Sequence, residues 1–307
     1  MKLHGFSKDQ FFYVVALSFF SIGIFTLVVS GTSNRPDGRQ DSIQEETTAF
    51  TPLPVIREKA NFPVLSAQSA LAVDLTSGKT LYEKAADTPL LPASTTKIVT
   101  ALVAMDYYPL DSILKVNGIN VDGQKMKLIE GEEITISDLL HGLLMYSAND
   151  AAEVLAQNFP GGRDFFIFAM NLKAHQLGMK NSYFINPSGL DGDYQATTAR
   201  DLVRASTMAM KNPTFAQIVA TENKVVKSVD GKIVHKLANI NKLLKDVEGV
   251  LGVKTGWTEN ARENLVTYLE RNGRHIIIAL LGSQDRFGET KELINWIFEN
   301  YEWQDTP

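Results

Sequence analysis

The chain has 307 residues, of which 44% are hydrophobic, and its formal net charge at pH 7 is −5. This length accommodates one large domain or two smaller ones, and the apolar fraction suffices for a substantial core. The acidic balance argues against a nucleic-acid partner. The chain has no cysteine, which excludes disulfides, thiol catalysis and Cys-ligated zinc, and its five histidines lack metal-ligand spacing, so we expect no metal or other cofactor.

The N-terminal segment is predicted to cross a membrane. Residues 11–30 carry no charge, and about twenty apolar residues span a bilayer as a helix. A cleaved signal usually has a shorter apolar core and a small-x-small site, of which Val29-Ser30-Gly31 is a poor version. An uncleaved anchor is therefore favoured over a cleaved signal. Lys2 and Lys8 precede the span, which predicts that residues 1–10 stay in the cytoplasm and the rest is exported.

The following residues, 31–61, are polar, mixed in charge and without an apolar period, which predicts a flexible tether. Beyond the tether, short β-like runs occupy residues 69–75 and 80–82, and a hairpin near the other end turns at Asn272-Gly273. Helices are predicted over residues 94–106, 137–145, 150–158, 163–177, 198–210, 214–220 and 287–301. This order predicts an α/β (α+β) fold, in which an antiparallel sheet built from both chain ends is flanked by helices and carries an inserted, mostly helical lobe.

The first candidate site is Ser94-x-x-Lys97, at the start of a predicted helix that Pro92 introduces. Lys97 lies one turn beyond Ser94 on the same face, so its amine can reach the hydroxyl. A serine needs a neighbouring base to become a nucleophile, and a desolvated lysine can be that base. Taken alone, the motif is better explained by a serine N-cap followed by a solvated lysine.

Two further motifs follow in order. Ser147-Ala148-Asn149 comes about fifty residues later, and Lys254-Thr255-Gly256 about a hundred residues after that. Taken alone, the first could be a loop cap and the second an exposed strand end. The ordered set of three is typical of penicillin-binding proteins and class A β-lactamases.

The wider sequence resembles the low-molecular-mass D-alanyl-D-alanine carboxypeptidases, a serine-type family of penicillin-binding proteins. The matching segments are residues 92–97, 149–152, 186–190 and 252–258, and the similarity extends over residues 62–300. The resemblance implies a β-lactamase/transpeptidase-like catalytic domain at residues 62–303, preceded by one N-terminal transmembrane helix. It also implies removal of the terminal D-alanine from peptidoglycan pentapeptide stems through an acyl-enzyme on Ser94.

The same resemblance implies where the protein acts and what it contacts. It would be a single-pass protein of the bacterial cell membrane, with the catalytic domain on the extracytoplasmic side. Its partners would be peptidoglycan stem peptides, β-lactams as covalent inhibitors, and the membrane through the N-terminal helix.

The resemblance further implies four catalytic roles. Ser94 attacks the carbonyl of the penultimate D-alanine, and Lys97 is the base, which must be neutral to act. Burial and Lys254, as a second cation, would both lower the pKa of Lys97. Ser147 passes a proton to the leaving amine, and Asn149 binds the substrate amide and Lys97.

Substrate binding is assigned by the same resemblance to the third motif. Lys254 and Thr255 bind the terminal carboxylate, and Gly256 lets the substrate backbone approach the strand. Trp257 and Ser94 supply the backbone N–H groups of the oxyanion hole. The Trp257 side chain could be a substrate platform or part of the sheet packing, and the sequence leaves both open.

Three features concern the surroundings of the site. Residues 186–189 are interpreted as a structural loop bordering it. Arg262 stands where many members of the family have glycine, which could narrow the cleft or add a carboxylate contact. Members of the family often carry a second β-domain and a C-terminal amphipathic anchor, and the N-terminal span is expected to replace that anchor.

The sequence leaves three alternative functions open. A D,D-endopeptidase would cut peptidoglycan cross-links, and only the shape of the pocket would distinguish it. A class A β-lactamase is disfavoured because the chain has no Glu-x-x-Leu-Asn string between the second and third motifs. A non-catalytic cell-wall or β-lactam sensor is disfavoured because it has no physical need for the Ser94 and Lys97 pair.

Overall fold

The computed structural model describes residues 51–58 and 60–304. The predicted cytoplasmic residues 1–10, the predicted membrane span 11–30 and most of the predicted tether lie outside the described residues. Within the described part of the chain, no helix combines the length and apolar character that crossing a bilayer requires.

An antiparallel sheet is the centre of the fold. The described strands are β1 (Leu53–Ile56), β2 (Ser69–Asp74), β3 (Thr80–Lys84), β4 (Ile113–Lys115), β5 (Glu133–Thr135), β6 (Asn223–Lys227), β7 (Val234–Ala238), β8 (Val250–Thr258), β9 (Arg262–Arg271), β10 (Arg274–Ser283) and β11 (Tyr301–Gln304). Five of them form one sheet in the spatial order β3-β2-β10-β9-β8. The early strands β2 and β3 thus join the late strands β8 to β10, as the sequence predicts.

Helices fill the chain between the two groups of strands. The described helices are α1 (Lys97–Tyr107), α2 (Ile136–Met145), α3 (Asn149–Gln157), α4 (Gly162–Gln176), α5 (Ala199–Met210), α6 (Pro213–Ala220), α7 (Leu243–Asp246) and α8 (Arg286–Asn300). A 3-10 turn, Ala93–Thr96, leads directly into α1. Helices α1 to α6 form the inserted helical lobe, with α5 against β10 and β2, while α8 packs on β9 and β10. The predicted mixed α/β fold is confirmed.

Strand β10 has an unbroken apolar run because both of its faces are covered. Ile277 and Ala279 belong to the core of the helical lobe. Ile276 and Ile278 belong to a second core that contains the α8 residue Ile294. The sheet is therefore held between two apolar layers, which gives the strands that border the site a rigid support.

The prediction of a flexible tether is wrong for the residues of β1. Leu53–Ile56 pairs antiparallel with β11, from Leu53 opposite Gln304 to Ile56 opposite Tyr301. This segment is ordered by backbone hydrogen bonds to a strand at the other end of the chain. The polarity of the segment itself gives no sign of such a distant partner. The β6–β7 hairpin is also absent from the sequence prediction, because its strands carry four lysine or histidine residues among the apolar ones.

Candidate active site

Ser94 lies half-buried in the 3-10 turn immediately before α1. Neither the turn nor α1 has a side-chain cap, so the interpretation of this serine as an N-cap is wrong. The hydroxyl oxygen lies 2.9 Å from Nζ of Lys97. The contact that the sequence predicts between the two side chains is therefore confirmed.

Lys97 is fully buried, which rules out a solvated lysine. Besides Ser94, its Nζ contacts Oδ1 of Asn149 at 2.6 Å and the carbonyl oxygen of Ser188 at 2.5 Å. A neutral amine has two N–H groups and one lone pair. When the N–H groups are donated to Asn149 and Ser188, the lone pair faces the Ser94 hydroxyl and can accept its proton.

The protonation of the two buried lysines differs from that of lysines in water. Burial lowers the pKa of Lys97 to about 7, and the charges of Asp150 and Glu153 oppose this shift. The pKa of Lys254 is well below its usual value, first because of burial and then because of the positive charges of Lys97 and Arg286. The predicted lowering of the Lys97 pKa by burial agrees with this direction, and the repulsion between the two lysines disfavours a positive charge on both at once.

Ser147 lies in the turn between α2 and α3, in the left-handed region with a φ of 61°. Its Oγ accepts a hydrogen bond from Nζ of Lys254 at 2.8 Å. Because Oγ is the acceptor in that bond, its own proton remains free to be donated into the cleft. Helix α3 has no side-chain cap and Lys254 is buried, so a loop cap and an exposed strand end are both excluded.

Asn149 is held from both ends of its side-chain amide. Oδ1 accepts the bond from Lys97, and Nδ2 donates to the carbonyl oxygen of Asp122 at 2.6 Å. A Cβ on Gly123 would lie 2.8 Å from this Nδ2, so only glycine fits against the amide. The second N–H of Nδ2 remains for a substrate carbonyl, consistent with the role that the resemblance implies.

The next residue, Asp150, supports the loop that orients Asn149, a role that the sequence motifs do not indicate. Its buried carboxylate accepts hydrogen bonds from the backbone N–H groups of Met126, Lys127 and Leu128 at 2.8–3.0 Å. These bonds fix the loop whose Asp122 carbonyl orients Asn149. The signal in the sequence is an acidic residue in the first turn of a helix, which is common to many helices.

Strand β8 lies against the turn that carries the nucleophile. A Cβ on Gly256 would lie 3.1 Å from the backbone nitrogen of Ser94 and 3.2 Å from the carbonyl oxygen of Pro92. The close approach that requires glycine here is therefore made by the protein's own turn. Asn264 on β9 fixes the same turn by donating to the carbonyl oxygens of Leu91 and Pro92 at 2.9 and 3.0 Å.

The position of β8 exposes backbone groups to the cleft. It is the edge strand of the five-stranded sheet, so the N–H and C=O groups on its free side do not pair within that sheet. Thr255 is buried on this strand, whereas Trp257 is 62% exposed. Because the Trp257 side chain is largely exposed, it does not pack within the sheet. Of the two roles that the sequence leaves open, the substrate platform remains.

Arg286, the first residue of α8, is a further cation of the site that the sequence motifs do not reveal. Its Nη1 donates to the carbonyl oxygen of Gly256 at 2.8 Å. Burial lowers its pKa from the usual value, and its charge is one cause of the lowered pKa of Lys254. The amine of Lys254, which donates to the carbonyl oxygen of Thr255 at 2.9 Å, and the guanidinium of Arg286 therefore both lie at this part of β8, where an anionic group of a ligand would be stabilised.

Loop 186–190 borders the site, as the sequence predicts, and it also contacts the base. Besides Ser188, which accepts from Lys97, Pro187 accepts from Oγ1 of Thr100 at 2.7 Å. Gly189 has a φ of 85°, and a Cβ there would lie 1.9 Å from the carbonyl oxygen of Ala93. The loop is thus packed against the residue that precedes the nucleophile.

Arg262 begins β9 with a φ of 60° and is exposed. This is a left-handed backbone, which glycine adopts more readily than arginine. Among the described residues, no group of three or more His, Cys, Asp or Glu side chains could hold a metal ion.

Comparisons with known proteins agree with this geometry. Residues 56–285 match the family Peptidase_S11, described as D-alanyl-D-alanine carboxypeptidase. A D-alanyl-D-alanine carboxypeptidase of Mycobacterium tuberculosis is 36% identical over 242 residues, covering 76% of this chain and 82% of that protein. A D-alanyl-D-alanine endopeptidase of Pseudomonas aeruginosa is 34% identical over 250 residues, covering 78% and 80%.

Solved structures show the same fold. A penicillin-binding protein homologue of Mycobacterium tuberculosis matches with a TM-score of 0.74 and 34% identity, covering 80% of this chain and 95% of that one. The DD-transpeptidase of Streptomyces K15 matches with a TM-score of 0.72 and 31% identity, covering 78% and 99%. The described residues therefore have a penicillin-binding-protein-like fold.

Proposed function

The chain belongs to the D-alanyl-D-alanine carboxypeptidase family, and we propose that it removes the terminal D-alanine from peptidoglycan pentapeptide stems. As a member of this family it is a serine-type peptidase, a hydrolase. One observation carries the proposed mechanism: the buried amine of Lys97, with a pKa of about 7, lies 2.9 Å from Oγ of Ser94. A neutral amine at this distance supplies the base that a serine nucleophile needs.

Acylation uses the two hydroxyl–amine pairs of the site. Ser94 Oγ attacks the carbonyl carbon of the penultimate D-alanine and gives its proton to Lys97. The tetrahedral intermediate then collapses, the C–N bond breaks, and Ser147 gives its proton to the departing amine of the terminal D-alanine. Lys254, which donates to Ser147 Oγ, replaces that proton. Water then attacks the ester carbonyl and passes one proton through Ser147 back to Lys254. The C–Oγ bond breaks, the product leaves as a carboxylic acid, and Ser94 Oγ takes back the proton that Lys97 holds.

The oxyanion of the intermediate is stabilised by the backbone N–H groups of Ser94 and Trp257. Each such donor contributes about 3 kcal/mol at a typical site. The stem peptide adds to the free edge of β8 as a further strand, since extended peptides bind exposed sheet edges through backbone hydrogen bonds. Asn149 binds an amide of the stem peptide from the side of the cleft opposite β8.

A free terminal carboxylate is recognised by the cations beside Thr255. The Thr255 hydroxyl donates to it, and the charges of Lys254 and Arg286 stabilise it in a buried environment. These contacts favour a leaving group that ends in a carboxylate one residue beyond the scissile bond. The proposed exopeptidase activity follows from this arrangement.

Endopeptidase activity is the second candidate, because a similar protein bears that name. The chemistry at Ser94 would be the same, and only the leaving group would be larger. β-Lactams would acylate Ser94 in either case. Their leaving nitrogen stays attached to the acyl group through the ring, and this keeps it between the ester and an attacking water.

The test uses the full chain in detergent and two substrates, a pentapeptide-stem muropeptide and a cross-linked muropeptide dimer. Mass spectrometry of the monomer reveals the loss of one alanine, and the dimer reveals cross-link cleavage. We expect loss of alanine that disappears in Ser94→Ala. Cleavage of the dimer alone would replace the first candidate by the second, and no reaction with either would refute both.

We also propose that residues 11–30 anchor the chain in the bacterial cell membrane as a single span. The support is the charge-free run of apolar residues with Lys2 and Lys8 before it. The catalytic domain would then lie on the extracytoplasmic side. Protease added to intact spheroplasts should digest the domain, and carbonate extraction should leave the protein in the membrane; release by carbonate would contradict an anchor.

A further inference from the structure

One carboxylate bridges the cleft at the end of β8. Oδ1 of Asp191 accepts from Oγ1 of Thr258 at 2.7 Å, and Oδ2 accepts from Nδ2 of Asn260 at 3.0 Å. The Thr258 hydroxyl in turn accepts from the backbone N–H of Ala261 at 3.0 Å. Asp191 therefore binds both the end of the strand and the turn that follows it, and we call these two hydrogen bonds the Asp191 clasp.

The loop that carries Asp191 is fixed at its other end to the catalytic pair. The carbonyl oxygen of Ser188 accepts from Lys97, and Gly189 packs against the carbonyl oxygen of Ala93, the residue before Ser94. Six successive residues, 186–191, thus join the base and the nucleophile turn on one side to the β8–β9 hairpin on the other.

This loop spans the two elements that would form the oxyanion hole. One N–H group of the hole belongs to Ser94, in the 3-10 turn. The other belongs to Trp257, whose neighbour Thr258 is a member of the clasp. The hydrogen bond from Arg286 to Gly256 holds β8 on one side of Trp257, and the clasp holds it on the other.

We propose that Asp191 is a positioning residue, which fixes the distance between the two N–H donors by tying the end of β8 to the loop that contacts Lys97. The inference rests on the proposed function, because it concerns the oxyanion hole of that reaction. The edge strand has no sheet neighbour on its free side, so the clasp limits its displacement toward or away from Ser94. Misplacement of a catalytic group by about 1 Å can reduce a rate about a hundredfold.

The clasp would act on the rate of acylation and not on the affinity for substrate. The groups that bind the carboxylate, Lys254, Thr255 and Arg286, precede Trp257 along the strand or lie on α8, and the clasp does not contact them. An oxyanion forms only in the transition state, so a displaced N–H donor lowers kcat with little change in KM.

The experiment compares four variants of the full chain in detergent, Asp191→Ala, Asp191→Asn, Thr258→Val and the double variant Asp191→Ala/Thr258→Val, with Asp193→Ala as the matched control. Asp193 is an exposed acidic residue of the same loop region. The readouts are the rate of acylation by a fluorescent penicillin, kcat and KM with a pentapeptide muropeptide, and hydrogen exchange of the β8–β9 hairpin. Rates are normalised to the fraction of protein that binds the penicillin covalently at completion.

We expect Asp191→Ala to lower the acylation rate and kcat about tenfold, with KM changed less than about twofold, and to increase exchange in the hairpin. Asp191→Asn keeps an oxygen for the Thr258 hydroxyl and should recover most of the rate. The double variant Asp191→Ala/Thr258→Val should be slowed by less than the product of the two single effects, because both substitutions remove the bond between Asp191 and Thr258. Asp193→Ala should match the wild type.

The inference is overturned if Asp191→Ala acylates at the wild-type rate, if it affects KM alone, or if Asp193→Ala is equally slow. Additive effects of Asp191→Ala and Thr258→Val would also overturn it. A wild-type protein that penicillin acylates but that leaves both muropeptides intact would refute the proposed substrate and leave the clasp measurable. A wild type that is not acylated would refute the reaction and the inference together.

Discussion

The Nζ atom of Lys254 lies 2.8 Å from Oγ of Ser147, although 107 residues separate them in the chain. This hydrogen bond joins the sheet to the helical lobe across the cleft. Because Oγ of Ser147 is the acceptor in this bond, its own proton remains free to be donated to a leaving amine.

Removing the Ser147 hydroxyl should therefore slow acylation. We expect Ser147→Ala and Ser147→Gly to lower kcat by about a hundredfold or more, since proton transfer by a positioned group contributes about 10²–10⁴. Only glycine adopts the left-handed backbone at this position without strain. The glycine variant should thus have the higher thermal midpoint of the two, although both are slow; retention of activity in either variant would exclude Ser147 as the proton donor.

The pH dependence of acylation should report the protonation of Lys97. Its pKa of about 7 means that the amine is charged below this value and neutral above it. Because only the neutral amine accepts the Ser94 proton, the second-order rate of penicillin acylation should rise with pH through about 7 and then level off. A rate that is constant from pH 5.5 to 9, or that falls as pH rises, would contradict Lys97 as the base.

The contact of Gly189 with the nucleophile turn predicts a severe effect of a single methyl group. Gly189→Ala would place Cβ 1.9 Å from the carbonyl oxygen of Ala93, at a φ of 85°. We expect it to lower the free energy of unfolding by more than about 3 kcal/mol and to abolish acylation.

Gly231→Ala is the matched control for that change. Gly231 also has a positive φ, of 72°, but no atom lies within 4 Å of a Cβ there. We expect Gly231→Ala to lower the free energy of unfolding by only the cost of the left-handed backbone, about 1–2 kcal/mol, and to leave acylation normal. Equal effects at the two glycines would show that the close approach to Ala93 is unimportant.

The cation pair beside Thr255 predicts how the enzyme would distinguish substrates by their C-terminus. Arg286→Gln should raise KM for a peptide ending in a free carboxylate, about tenfold or more, because a charge-assisted interaction in a buried environment is lost. A peptide with an amidated C-terminus should bind weakly to both proteins and respond little to the substitution. An equal response of the two peptides would assign Arg286 to support of β8 through Gly256 alone.

The sequence reveals those parts of the site that are encoded in short linear motifs. Ser94 and Lys97 are separated by one helical turn, so their contact can be predicted from helix geometry alone. The order of strands at both chain ends also predicts the sheet, because the Asn272-Gly273 turn marks the β9–β10 hairpin.

The parts that the sequence does not reveal depend on long-range packing. Asn264, on β9, donates hydrogen bonds to the carbonyl oxygens of Leu91 and Pro92. Arg286, on α8, donates to the carbonyl oxygen of Gly256. No local pattern contains the strand register that brings these residues to the turn and to β8. The sequence does not reveal strand β1 for the same reason, since its partner β11 lies at the other end of the chain.

Locating the acyl group on the protein tests most directly whether Ser94 is the nucleophile. The full chain is incubated with benzylpenicillin, its intact mass is measured, and the labelled peptide is identified by tandem mass spectrometry. We expect one penicilloyl group per chain, attached to Ser94, and no adduct in Ser94→Ala. An adduct on Ser147 or another residue, or undiminished labelling of Ser94→Ala, would contradict the assignment of Ser94 as the nucleophile.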